Sequence, residues 1–558
     1  MKNNLFSIIK NKLKIESDLI TSQEELSQYL KGTEGLDMFT DKKRTLLAVI
    51  KIRKSQHIEL ILELANECAK DPDMRFTIHP ISTGKNWGYG TSQPPSTENN
   101  VILIDLAYLN KIIDFDEDLG LITLEPGVTQ RQLSEYLIEN DFDYMVPATG
   151  AGPDCSILAN ALERGYGITP YTEHFAAVTA IHGYWANGSE YQSAIYHLDK
   201  TEKKFVDKTF KWGVGPYIEG LFTQSSYGIV TKMTLRLAKR KQAFTSFFIQ
   251  LDKDAFLEDV VPLIRKVLQD YEGIVGSINL MDKRRVLSMF AENPNGSDKH
   301  QVMHDGDIVS LAKKLQTPSW TIVGTIYGTK SIVKAAKSEI NSIFRQLPSK
   351  RIYSDGIIIK MANLVINNFI PHWLIKKIPL LSMAKEQLTS FNLGEEIMLG
   401  IPNRVALKLA YWRNPNGNTI SQNSMQPHQD GCGLLWYAPL ITMKPEIMRT
   451  YVDFIREICP KHNIEPFITF TNLKHDCVDS TIPIVFDLSN PEAVKDAHNC
   501  LKELVEEGLK KGFVPYRLNI DQQQYLLNKD NNFWQTANDI KRTLDPNNIL
   551  SPQRYNPS

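Results

Sequence analysis

The feature that most constrains this chain is the stretch TIHPISTGKNWGYGTSQPP at residues 77–95, where an extended run gives way to Gly84, Gly88 and Gly90 around Trp87 and Tyr89. Glycine carries no Cβ and enters positive φ at little cost, so such a loop can turn several backbone N–H groups toward one bulky anion. A diphosphate suits that geometry; a plain tight turn is the other reading of the same residues. The dinucleotide fingerprint GxGxxG is missing, because the five GxG pairs at 88/90, 150/152, 165/167, 213/215 and 431/433 all lack the third glycine. GxxxxGK[ST], HExxH and GxSxG are also missing, which removes the usual signatures of ATP hydrolysis, zinc peptidases and α/β-hydrolases.

Composition narrows the classes further. The 558 residues hold 63 basic and 64 acidic side chains, a balance that argues against a nucleic-acid partner. Length and 42% hydrophobic content fit a large enzyme of two or more domains. The cysteines, at 68, 155, 432, 459, 477 and 500, form no CxxC pair, so neither a disulfide framework nor a zinc site is indicated. The basic, amphipathic N-terminus lacks a signal-peptide core and predicts a surface helix. The apolar stretch 356–384 is interrupted by Lys360, Asn363, Pro371, Lys376, Lys377 and Pro379, so it suits buried helices or an oligomer contact better than a membrane span. A cytoplasmic location is the expectation.

Short β runs at 101–106, 111–115, 121–126 and 227–239, a helix from Thr129 and a hairpin turning at Asn187-Gly188 mark a strand-rich region over 38–239. From about residue 240 the pattern becomes strand–helix–strand, with helices predicted over 254–270, 330–346, 445–458 and 491–510. Its two halves share one order, which predicts an α+β domain, internally duplicated, with helices on one sheet face.

Seven ordered motifs then carry a resemblance: PISTGKNWGYG (80–90), VILIDLAYLNKII (101–113), LEPGVTQRQL (124–133), NALERGYGITPYTEHF (160–175), KWGVGPYIEGLFTQSSYGIVTKM (211–233), PYRLNI (515–520) and LDPNNILSP (544–552). Together they resemble the vanillyl-alcohol oxidase/4-cresol dehydrogenase family of FAD enzymes. The resemblance implies a two-domain FAD-binding fold: an N-terminal helical extension (1–37), an FAD-binding domain (38–239), a substrate-binding cap (240–514) and a C-terminal segment (515–558) returning to the first domain. It implies FAD contacts from Ser82, Thr83, Gly84, Asn86, Gly88, Pro126, Gly127, Asn160, Arg164, Gly165, Glu173, His174, Gly228 and Ile229. For Arg164, simply holding a loop stays an open alternative. It also implies a phenolate clamp of Tyr89, Tyr516 and Arg517, since a guanidinium and two phenol donors stabilise an oxyanion by charge-assisted hydrogen bonds.

Four departures stand out. Where one branch of the family places an Asp near the flavin, a count without gaps gives Ala151, and Asp154 is the nearby candidate. GYGITPYT puts Ile168 in place of a family tyrosine and keeps Tyr171 as a phenol-side residue. Leu434 occupies the place of the histidine that links flavin covalently in the oxidases, with neither His428 nor Tyr437 matching it, so non-covalent FAD is expected. The pair of histidines that the family carries ahead of an IVF-like strand is replaced by Asp479 and Ser480. The implied activity is hydride removal from a para-substituted phenol or related aromatic alcohol, with dioxygen or an electron-acceptor protein as oxidant and a homo-oligomer as the assembly. An aliphatic or sugar-like alcohol as substrate, and a non-catalytic flavin-binding protein, remain the alternatives.

Overall fold

The computed structural model describes residues 2–15, 17–39, 43–295, 300–356, 361–362, 364–366, 370, 379–472 and 474–556. Its first sheet holds β1 (Leu19–Ile20), β2 (Leu46–Lys51), β3 (Thr77–Ile81) and β4 (Val101–Asp105) in the order β1-β2-β4-β3. β4 runs parallel to both β2 and β3, and its Val-Ile-Leu-Ile-Asp sequence is buried throughout, as a strand covered on both faces requires. Helix Gln56–Cys68 covers this sheet, and the N-terminal helix Lys2–Leu13 joins the same core through Leu5, Ile9 and Leu13. β1 runs antiparallel to β2 at the edge of this sheet, pairing Leu19 with Ile50 and Ile20 with Val49.

The second sheet is antiparallel. Its strands are β5 (Ile112–Asp116), β6 (Leu121–Leu124), β8 (Val178–Trp185), β9 (Glu190–Tyr191) and β10 (Gly228–Arg236), in the order β5-β6-β10-β8-β9; β7 (Tyr144–Met145) pairs with β11 (Ala238–Lys239). The β8–β9 hairpin turns at Asn187-Gly188, and helix Gln130–Glu139 begins where the Thr129 hydroxyl accepts from the Gln132 N–H.

The second domain is one eight-stranded antiparallel sheet in the order β15-β12-β14-β13-β18-β19-β17-β21. Chain order resolves it into two copies of a β-α-β-β-α-β unit. The first copy is β12 (Ala243–Leu251), helix Phe256–Asp270, β13 (Ile278–Asp282), β14 (Trp320–Gly328), helix Lys330–Phe344 and β15 (Lys350–Tyr353). The second is β17 (Pro439–Thr442), helix Pro445–Lys461, β18 (Thr469–Asn472), β19 (Cys477–Ser480), helix Pro491–Lys510 and β21 (Val514–Pro515). Each copy is ordered fourth-first-third-second, the ferredoxin-like arrangement, and the copies meet where β13 pairs with β18. β16 (Cys432–Tyr437) and β20 (Ile482–Asp487) pair with each other and extend β17 and β19 past breaks at Ala438 and Thr481.

Cross-strand register decides what each sheet face does. Ile249, Ile322, Leu280 and Phe470 form one row, buried against the helices. The neighbouring row, Val323, Asn279, Thr471 and Asp479, points to the opposite face, toward the first domain. The chain then returns to the first domain, where Ile549 and Leu550 join its core and the Ile78 N–H donates to the Ile549 carbonyl (2.7 Å). Most of 356–384 lies outside the described residues; helix Pro379–Met398 begins within it. Among the described residues no helix is long and apolar enough to cross a membrane.

Candidate active site

A cavity of about 460 Å³ lies between the domains, and its first wall is the end of β3 with the loop after it, Pro80 to Asn86. Within the glycine-rich loop the two ends face opposite ways. Gly84 (φ +67°) is open: a Cβ there would meet nothing nearer than Ser92 Cβ at 3.7 Å. Gly88 (φ +80°) is closed, because a Cβ would lie 2.4 Å from Cδ1 of Trp436. The Gly88 N–H donates to Glu34 Oε1 (2.7 Å) and to Thr33 Oγ1 (3.0 Å), and the Gly90 N–H donates to Glu34 Oε1 (3.1 Å). Thus the group held by this end of the loop is the chain's own carboxyl, that of Glu34. Burial pushes Glu34 above the usual carboxylate range, against the hydrogen bonds from Thr33, Gly88 and Gly90. Gly88 is therefore corrected from ligand contact to internal support, and residues 82–86 carry the open backbone.

Tyr89 lines the cavity from the same loop, with the Arg517 guanidinium 4.0 Å from its ring centroid and 5.0 Å from that of Tyr516. Backbone hydrogen bonds fix the two tyrosines: the Ile520 N–H donates to the Tyr89 carbonyl (2.8 Å) and the Tyr516 N–H to the Ala438 carbonyl (3.2 Å). Arg517 donates to the Glu163 carbonyl over a long 3.5 Å and interacts with the Tyr89 hydroxyl, and its Nε has no partner among the described residues. The Tyr89 hydroxyl is buried without a hydrogen bond of good geometry. Burial raises both phenols, with Arg517 opposing it. Burial also works against the guanidinium charge, yet the phenols of Tyr516 and Tyr89 hold its proton more firmly than usual. Asp479 sits close enough to influence all three, both its oxygens buried without partners. Burial pushes its carboxyl up to about 8, with Arg517 pulling the other way. At neutral pH that acid is mostly protonated, so it leaves the charge of Arg517 unspent.

Ser82, Thr83, Gly84, Asn86, Pro126, Asn160, Gly165, Gly228 and Ile229 all line the cavity. His174 stands behind this layer; Asn160 Nδ2 donates to its Nδ1, and burial lowers the ring to about 4, so it is neutral. Five other expected site residues lie off the cavity wall. Gly127 packs against main chain, where a Cβ would fall 2.2 Å from the Ala107 carbonyl oxygen. Arg164 points away and holds Thr223 Oγ1 (2.9 Å). Glu173 belongs to a bridge with Tyr166, and Tyr171 is 39% exposed; neither lines the cavity. Asp154 pairs with Arg131 (3.0 Å) and Arg404 (2.6 Å) outside the wall, whereas Ala151 lines it. Leu434 lines the cavity, while Tyr437 is buried in the second domain's core and donates to the Phe513 carbonyl (3.2 Å). His428 lies 3.4 Å from the Lys85 Nζ.

Sequence reasoning missed several wall residues. The charged ones missed are Lys85, Glu163, Arg285 and Arg554; with the expected Arg517 they make up the charged lining, and Glu163 is paired with Arg554. Lys85, Arg285 and Arg517, with no carboxylate partner among the described residues, and an open glycine turn fit an anionic ligand such as FAD. Lys85 was visible inside the loop motif itself, but Arg285 had no local signal.

Residues 47–189 match the FAD binding domain family. The chain is 28% identical over 517 residues to the 1'-carboxy-chondrochloren decarboxylase of Chondromyces crocatus, covering 91% of this chain and 90% of that one. It is 25% identical over 518 residues to the flavoprotein subunit of 4-cresol dehydrogenase [hydroxylating] of Pseudomonas putida, covering 91% and 87%. The fold matches p-cresol methylhydroxylase with substrate bound (TM-score 0.81, 23% identity, 99% and 97% covered). It equally matches a 4-ethylphenol oxidase from Gulosibacter chungangensis (TM-score 0.82, 20% identity, 99% and 97% covered). The chain is similar to proteins of the vanillyl-alcohol oxidase/4-cresol dehydrogenase family and shares their fold. It is an FAD-dependent oxidoreductase, and the ferredoxin-like pair is the cap of that family's fold.

Proposed function

We propose that this protein oxidises phenols at the carbon attached para to the hydroxyl, with Tyr89, Tyr516 and Arg517 holding the oxygen as phenolate. The observation that carries the reading is a guanidinium set against two buried phenol rings with its charge unspent. Negative charge on the substrate oxygen satisfies Arg517 and pushes electron density to the para carbon, which is what lowers the cost of losing hydride there. Bound FAD supplies the hydride acceptor. The open backbone of 82–86 and Lys85 would hold its diphosphate, with Asn160 and Gly228 along its length. Leu434 cannot bond flavin, so the cofactor is held without a covalent link. The relatives named for 4-cresol and 4-ethylphenol support this choice of substrate.

Loss of CO2 from a carboxylated side chain is a second reading, favoured by the name of the Chondromyces crocatus relative. Mixing the yellow protein anaerobically with para-alkylphenols tests the first. Bleaching of the flavin band by phenols, and not by sugars or aliphatic alcohols, is the expected result; a band that no phenol bleaches rejects it. CO2 released in step with bleaching would mark the second.

A further inference from the structure

Of the three cations in the cavity wall with no carboxylate partner among the described residues, Lys85 lies in the cofactor loop and Arg517 in the clamp; Arg285 belongs to neither. It sits in the first turn of helix Lys283–Phe290, whose cap is Asp282. That carboxylate is already engaged by the Arg285 N–H (2.9 Å), the Arg284 N–H (3.4 Å) and the Ile468 N–H (3.1 Å). The Arg285 guanidinium donates to one neutral side-chain partner, Ser288 Oγ (3.2 Å). Burial lowers its proton affinity to about 10, Asp282 opposing. An enclosed guanidinium with so little compensation is costly unless a ligand completes it.

Two more unsatisfied groups face the same space. Among the described residues Asn279 Oδ1 and Thr469 Oγ1 are buried without partners, and both residues line the cavity. Register places them together: Met281, opposite Thr469, lies two residues beyond Asn279 on the strand that runs into the Arg285 turn. An amide that can turn its Nδ2 forward and a hydroxyl beside a guanidinium are donors suited to a carboxylate. Asp479, next to the clamp, lies two strands away from Asn279 through Thr471. That separation is roughly 10 Å, a distance that a hydroxyphenyl ring with a short acid side chain can span.

We propose that Arg285, with Thr469 and Asn279, forms a second anion subsite that receives a carboxylate at the end of the substrate's para side chain. The substrates are then hydroxyphenyl-alkanoic acids and their relatives, in preference to neutral alkylphenols. The subsite rests on the phenol reading only for what lies at the other end of the molecule.

The test uses FAD-loaded, full-length protein and reads binding from perturbation of the flavin spectrum. The probes are para-hydroxyphenylpropionate, its methyl ester, para-propylphenol and phenylpropionate. The acid is expected to bind about 10–100-fold more tightly than the ester or the alkylphenol. Arg285→Gln should bring that ratio near one, and Arg285→Lys should restore part of it. Phenylpropionate has no phenol oxygen, so its loss of affinity in Arg285→Gln reports the subsite even where phenols fail to bleach the flavin. Equal binding of acid and ester by the unaltered protein overturns the proposal. So does an Arg285→Gln protein that keeps the acid preference while its FAD affinity falls, since Arg285 would then face the cofactor. Should the variant fail to fold, the acid-to-ester ratio of the unaltered protein decides alone.

Discussion

The two walls of the cavity are made of different material. On the FAD side it is largely main chain and small residues: the 80–86 run, the 149–151 loop, Gly165 and Gly228. On the cap side it is side chains standing off a sheet, among them Asn279, Thr469, Thr471 and Thr481, with Arg285 at one end. A main-chain wall offers N–H and C=O groups at places set by φ and ψ, so it suits a ligand that stays the same. Side chains on the sheet face away from the helices can change without disturbing the helix-packed row beside them. Cofactor identity is thus written in motifs, and substrate identity in single residues.

The largest effect is expected where the walls meet. Arg517→Ala should slow anaerobic flavin reduction by a para-alkylphenol about 10³-fold, because the developing oxyanion loses its charged donor. The flavin should stay bound, as shown by its absorbance after gel filtration. Loss of FAD together with activity would place Arg517 in the cofactor wall and break the contrast. Next in size is Glu34→Ala, which strands the buried Gly90 N–H, leaves the Gly88 N–H with Thr33 Oγ1 alone and should cost about 2 kcal/mol. The urea midpoint reads that loss, and Glu34→Gln, which keeps an acceptor, should lose less. An Ala variant as stable as the parent would mean that the loop holds its shape unaided.

The same contrast explains what was legible in the sequence. The β8–β9 hairpin, the helix from Thr129 and helix Pro491–Lys510 follow from local turn chemistry and periodicity, so they could be read directly. The duplicated cap was visible as a repeated order, although the β13–β18 pairing that joins its halves depends on contacts far apart in the chain. The glycine loop announced an anion, but not that the Gly88 and Gly90 amides serve Glu34, which lies 54 residues upstream of Gly88. Asp154 looked suitable because it is acidic and near Ala151, and only three dimensions show it between Arg131 and Arg404. Arg285 and Asp479 carry no local pattern: their meaning comes from what is missing around them.

Asp479 gives a smaller effect with a definite sign. Its folded value of about 8 lies above the ordinary 3.8, so the folded protein holds a proton that the unfolded chain gives up. Stability should then fall as pH rises through that window, by about 1–2 kcal/mol between pH 6 and 8. Asp479→Asn cannot ionise and should show a flatter stability profile by urea titration. Above pH 8 the ionised acid also competes with phenolate for Arg517, so phenol-driven bleaching should decline in the parent and persist in the Asn variant. Parallel profiles for the two proteins would separate Asp479 from the clamp.

The smallest effects compare two tyrosines of one segment. In GYGITPYT the family's tyrosine is replaced by Ile168, which packs beside Met281, Val323 and Met398. Tyr171, three residues on, is exposed and outside the cavity wall. Tyr166 lines the cavity instead, its ring centroid 6.0 Å from that of Tyr516. A phenol missing at one position thus has a counterpart two residues earlier, which the sequence left unmarked because it sits between two glycines of an ordinary GxG pair. Tyr166→Phe should therefore slow phenol oxidation about tenfold, the value of one hydrogen bond to a charged oxygen. Tyr171→Phe should change the rate by less than about twofold and stability by under about 0.5 kcal/mol. Single-turnover bleaching of both variants in parallel measures the difference. The reverse ranking would mean that the 168–172 segment folds over bound substrate, making Tyr171 part of the cap wall after all.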